Sequence, residues 1–160
     1  MGEGMKKSYW FTAMAITLVL LVLINTYVYQ QHYQKKHFNC HGDVSVSNSN
    51  YTLNARLMLN FSNNIGQALV EGKLIDRAGI SYFVHRASSF YVKQDSDDIY
   101  LTAFSVTELP GNTADISMLK GLILPNLLTK NISVHLNLFS ITSKNHLFTN
   151  DKYVLLYCEK

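Results

Sequence analysis

The side chains with the most chemical potential in this chain are two cysteines, a few histidines and one serine–lysine pair. His37, Cys40 and His41 stand close together, and imidazole with thiolate is a ligand set for zinc or copper. Two histidines leave that shell incomplete, and Cys40 is lost to it if it pairs with Cys158, the only other cysteine. Ser117-Met118-Leu119-Lys120 fits the S-x-x-K pattern, in which an amine activates a nucleophilic hydroxyl. The S-D-N and K-T-G elements that accompany it are missing, so the pair reads as the wet face of an amphipathic helix. Asp95, Asp97 and Asp98 make an acidic tip without the glycine and distal glutamate of a calcium loop, and read as a solvated turn. His85 and His135 fall in strand-like segments with no Cys or carboxylate at ligand spacing. The sequence has no Gly-rich phosphate loop, G-x-S-x-G or H-E-x-x-H. The expectation is a non-enzymatic protein with no catalytic residue, cofactor or metal. Sequons at Asn50, Asn60 and Asn131 matter only in a eukaryotic secretory pathway.

The cysteines themselves point elsewhere. Cys40 and Cys158 bracket one stretch of chain, which suggests a single disulfide and an oxidising compartment. Closing so long a loop is worth about 4 to 5 kcal/mol on the chain-entropy account.

Ahead of them, the run from Tyr9 to Tyr29 carries no charge. At about 1.5 Å per residue it reaches about 31 Å, the thickness of a bilayer's hydrocarbon. Tyr9 and Trp10 flank one end, Tyr27 and Tyr29 the other, as interfacial aromatics do. The end Asn25-Thr26-Tyr27-Val28-Tyr29 is a poor signal-peptidase site, so an uncleaved signal-anchor is expected. Lys6 and Lys7 are balanced by Lys35 and Lys36, and the positive-inside rule nearly ties. The disulfide breaks the tie. Residues 1–8 are expected as a cytoplasmic tail, 9–29 as the transmembrane helix, 30–37 as a helical stalk and 38–160 as a domain outside the cytoplasm. Thr12, Thr17 and Asn25 are polar positions through which the anchor could meet another transmembrane helix.

The outer domain reads in periods of two. Tyr51, Leu53, Ala55, Leu57, Leu59 and Phe61 alternate with polar residues, and Ser62-Asn63-Asn64 supplies a turn. Strands follow at 66–76, 80–94, 99–108, 132–142 and 152–158, separated by turn chemistry. This is an antiparallel meander, a barrel or a sandwich rather than an α/β fold. One helix interrupts it at 115–124, capped by Asn112 and stopped by Pro125. The strands at 80–94 and 99–108 are apolar on both faces, with Phe83, Ala87 and Tyr91 opposite Val84, Phe90 and Val92, so something must cover the second face. The helix is the expected cover, ahead of a partner chain or an apolar ligand. The chain's formal net charge of +3 gives no field that would seek nucleic acid, and none is expected as a direct partner.

In layout the chain resembles the FidL-like membrane proteins of enteric bacteria. The resemblance spans Met5-Lys6-Lys7 and the anchor, Phe38-Asn39-Cys40 opening the domain, the β run, and the closing Tyr153-Val154-Leu155-Leu156-Tyr157-Cys158. Such proteins are similar in arrangement to the ToxS- and VtrC-type accessory proteins, which accompany a membrane-spanning winged-helix transcription regulator. The resemblance implies a lipocalin-like β domain in the periplasm, tethered to the inner membrane. It also implies a heterodimer with the regulator's periplasmic domain; an exposed sheet edge could be completed by a partner strand, and inward apolar residues could line a pocket in which an apolar ligand is sensed. A stand-alone, membrane-tethered lipocalin-like binder of apolar molecules is the alternative.

Overall fold

A computed structural model describes residues 3–95, 97–142, 145–150 and 154–159. Met1 and Gly2 of the tail, Ser96 of the acidic turn, and Lys152 and Tyr153 of the last expected strand lie outside the described residues. The chain divides into two compact units, 1–36 and 37–160.

The first unit is one helix, α1 (Glu3–Lys36), which holds both the apolar run and the polar stretch after it. From Ala13 to Gln30 it is long and apolar enough to cross a membrane, and its side chains there are exposed. Length and composition of this kind serve a membrane anchor or a signal sequence alike. The Thr17 hydroxyl donates to Ala13 O at 2.9 Å and Thr26 to Val22 O at 2.7 Å, so both satisfy themselves within the helix.

The second unit is an eight-stranded antiparallel barrel that closes in sequence order. Its strands are β1 (His37–Ser47), β2 (Tyr51–Ser62), β3 (Ile65–Asp76), β4 (Ser81–Asp95), β5 (Asp98–Glu108), β6 (Ser133–Ser140), β7 (Asn145–Thr149) and β8 (Val154–Glu159). The expected mostly β, antiparallel barrel with one short helix is what forms. Eight strands of this chain close it, so no partner strand is needed to complete the sheet.

Alternation fixes which residues face inward. Leu53, Ala55, Leu59 and Phe61 of β2 are buried, as are Leu74, Val70 and Ala68 opposite them on β3 and Val84, Phe90 and Val92 on β4. Phe61 packs against Phe90 at 5.8 Å and Phe148 at 5.9 Å between ring centroids. Gly66 makes room for this trio, because a Cβ there would overlap the Phe90 ring.

β5 and β6 stay together only from Asp98↔Asn137 to Thr102↔Ser133, extended by hydrogen bonds between Ala103 and residues 131 and 132. Residues 109–114 leave β5 and fold back on β4: Leu109 N donates to His85 O, and Thr113 N and Ala114 N donate to Phe83 O. The chain then makes one helical turn, α2 (Ile116–Leu119), and a 3-10 turn at Pro125–Leu127.

The expected helix over 115–124 is therefore shorter and differently bounded. Asp115 caps it by accepting from Ser117 N, while Asn112 accepts from His85 N and donates to Ala114 O. Gly121, at φ +79°, turns the chain out of helical geometry, and Pro125 opens the 3-10 turn rather than ending a helix. Nor does the helix cover the outer faces of β4 and β5. Phe83 and Tyr91 are 53% and 58% exposed, whereas α2 buries Leu119 in the core.

Candidate ligand-binding site

Small inward residues on β2 and β3 leave the barrel incompletely filled. Ala55 faces Gly72, where any Cβ would collide with Ala55 itself, so these strands approach closely without filling the centre. The space that remains is a cavity of about 430 Å³, in the range of small-ligand sites. Val44, Val46, Leu53, Leu57, Leu101 and Leu136 contribute its walls, Phe90 and Phe148 its aromatic surface, and residues 121–127 lie across it.

The seam between β1 and β8 borders the cavity. Among the described residues the two strands are registered at His41↔Glu159, and they stay close at Gly42, where a Cβ would meet Tyr157 O and the Leu156 side chain. Val44, Val46 and Leu155 line the cavity from β1 and β8 and are only half-buried, as are Ile123 and Leu124 of the covering segment. The cavity is nearest to solvent beside these half-buried side chains. The Cys40–Cys158 disulfide, with Cα atoms 5.3 Å apart, joins the same seam.

One polar side chain lines this apolar space. Asn126 is fully buried in the 3-10 turn, its Nδ2 donates to Leu101 O at 3.3 Å, and its Oδ1 has no partner. Leu101 O accepts only, which fixes the amide with its oxygen on the other side.

The residues singled out from the sequence lie away from the cavity, except for those in the strands and helix that build it. Ser117 and Lys120 are both exposed on a helix of a single turn, and Ser117 N is engaged by Asp115. Asp115 is held below the usual carboxylate range, chiefly by its hydrogen bonds from Ser117 and further by the nearby charges of Arg86 and Lys120. His37 meets the Asn63 side chain at 3.0 Å, and Cys40 is in the disulfide. His85 Nδ1 donates to Pro110 O at 2.9 Å, and its Nε2 lies 3.1 Å from Glu71. His135 pairs with Asp98 at 2.9 Å and stacks on Tyr100. Among the described residues no three His, Cys, Asp or Glu side chains gather as a metal site would require.

Sequence reasoning missed Asn126 and Arg86. Arg86 faces inward from β4, 2% exposed, and its Nη1 donates to Glu108 at 2.6 Å. Arg86 had a signal, since the alternation of β4 assigns its position to the interior; Asn126, beside Pro125, had none.

No protein-family model matches this chain, and no curated protein matches it.

Proposed function

We propose that this chain is a membrane-tethered, non-enzymatic binding protein whose barrel holds an apolar small molecule on the periplasmic side of a bacterial inner membrane. The observation that carries the reading is the 430 Å³ cavity, whose walls are almost wholly aliphatic and aromatic and which comes nearest to solvent at half-buried side chains of β1, β8 and residues 123–124. The uncharged run of α1 supports an anchor, and the disulfide supports the oxidising side of the membrane for the barrel and hence a cytoplasmic N-terminus. The test is saturable binding of the fluorescent apolar dye N-phenyl-1-naphthylamine by the full chain in lipid nanodiscs, with empty nanodiscs subtracted. One dye per chain is expected. A signal that rises only linearly with dye, as in empty discs, overturns the reading.

A second reading rests on the outer surface. Tyr91 and Phe104 pack at 4.6 Å between centroids, with Ile65 registered beside Tyr91, and all three are exposed. Together with the FidL-like layout, this patch supports an accessory subunit that binds and tunes the periplasmic domain of a membrane-spanning winged-helix regulator. Co-expression with the regulators encoded nearby, followed by purification through this chain, checks it. Recovery of the chain alone in every case counts against it.

A further inference from the structure

We infer that the exposed aromatic patch of β4 and β5 is a lipid-contact surface, with Tyr91, Phe104 and Ile65 reaching the interface of the bilayer that holds the anchor. This rests on the reading of α1 as a membrane anchor. It concerns the outside of the barrel, whatever the cavity holds.

The register brings the patch close to the tether. His37, the first residue of β1, pairs with Ser62, Ser62 with Ile65, and Ile65 with Tyr91. Three steps between neighbouring strands, about 14 Å at 4.7 to 4.9 Å a step, therefore lead from His37 to Tyr91. The His37 ring also meets the Asn63 side chain at 3.0 Å, in the turn that leads to Ile65. β1 begins at the residue after α1 ends, and the apolar span closes at Gln30. The chain between Gln30 and His37 can reach no more than about 25 Å even when fully extended. A patch tied so short meets lipid at a high effective concentration.

Composition fits the same occupant. Tyr91 and Phe104 pack at 4.6 Å between centroids, and Tyr100 stands diagonal to Tyr91 across the Tyr91↔Thr102 pair. All three rings and Ile65 are exposed. Tyrosine suits a membrane–water interface, where the ring is apolar and the hydroxyl stays wet. Four such side chains fall short of the roughly 20 to 30 residues a side of a stable protein interface. A domain already anchored needs only a shallow contact of this size. Charge does not drive it: Lys93 is exposed beyond Tyr91, but Asp95 and Asp97 are exposed at the same turn and Asp98 is paired with His135. Anionic lipid gains nothing there, and a zwitterionic lipid suffices.

The test uses the full chain in phosphatidylcholine vesicles and reads tryptophan quenching by phosphatidylcholine brominated near its head group. In the unaltered chain the only tryptophan is Trp10, in the anchor. Two variants move the probe: Trp10→Phe with Tyr91→Trp, and Trp10→Phe with Phe83→Trp. Phe83 is an exposed ring about 26 Å away along β4. Unquenched Trp10 removes the anchor reading itself. With Trp10 quenched, the indole at position 91 is expected to lose most of its emission to the bromolipid and the one at position 83 little. Phe104→Trp in the same background repeats the measurement at the second ring, should Tyr91→Trp not fold. Quenching at 91 and 104 no greater than at 83 overturns the inference. Indoles spared by bromolipid yet shielded from aqueous acrylamide would assign the patch to a second copy or a regulator, and overturn it as well.

Discussion

Cys40 and Cys158 face each other across the β1–β8 seam of the barrel, next to the His41↔Glu159 pair. The covalent bond holds β1 against β8 at that end, while Val44 and Val46 further along β1 line the cavity. Its 118-residue separation makes the entropic effect on the unfolded chain large. The Cys40→Ser, Cys158→Ser double variant should lose about 4 to 5 kcal/mol of stability, measured by urea unfolding of the full chain. Because the bond holds β1 against β8, both of which line the cavity, dye binding should weaken too. A double variant as stable as the parent would show that the β1–β8 interface closes without the bond.

The side of the cavity nearest to solvent gives a second expectation. Val46 is half-buried, faces the cavity from the end of β1 and has room before it. Val46→Trp should fill this side and reduce dye affinity at least about tenfold, while leaving stability within about 1 kcal/mol, since the ring replaces empty space instead of crowding packed atoms. Unchanged dye affinity would place the dye elsewhere.

The period of two in the sequence made most of this barrel legible. β2, β3, β4 and β5 form where alternating apolar residues and turn signals place them, because one buried face per strand fixes both strand and register. β1 and β7 were harder to see. His37–Ser47 is mostly small and polar, and Asn145–Thr149 is too short for a periodic signal, so each becomes a strand through its neighbours. The segment 115–124 was misread as one helix for a related reason. Ile116, Leu119, Leu122 and Ile123 recur at helical spacing, yet Gly121 breaks the backbone between them, and the apolar side chains are buried by the barrel instead of by a helix stripe. Asn126 escaped notice because a polar residue beside proline reads as a loop, and nothing local reports that the loop is inside.

Gly66 and Phe90 give a test of packing at the aromatic end. Gly66→Ala puts a methyl where the Phe90 ring lies and should cost about 1 to 3 kcal/mol in thermal or urea unfolding. Phe90→Leu in the same chain should recover part of that loss, so the two effects should be non-additive in a double-mutant cycle. Additive effects would mean that the ring and Gly66 are not in contact.

Asp115 offers a pH expectation. The Ser117 hydrogen bonds hold its carboxyl below the ordinary aspartate value of 3.8, so in the fold the charged form is favoured. A depressed acid contributes stability that is present above its unfolded value and is lost as pH falls through the lower folded value. The Ser117 amide resonance should therefore follow a titration with midpoint below 3.8, and Asp115→Asn should abolish that titration. A midpoint at or above 3.8 would mean that the cap of α2 does not form.

Arg86 and Glu108 make an asymmetric pair, and the asymmetry decides which loss is worse. The guanidinium side chain is 2% exposed and the carboxylate 51%, and Arg86 Nε has no partner of its own. Removing Glu108 charge leaves a buried cation whose remaining nearby anion is Asp115, whereas removing Arg86 leaves a carboxylate that water already solvates. Glu108→Gln should therefore cost about 2 kcal/mol, below the full penalty of a wholly buried pair because Glu108 is half in solvent. Arg86→Met keeps the apolar stem, removes the unpartnered nitrogen and should cost less than about 1 kcal/mol. Urea unfolding of the two variants side by side checks the order. If Arg86→Met is the more damaging, the guanidinium contributes hydrogen bonds to the covering segment that outweigh the cost of burying its charge.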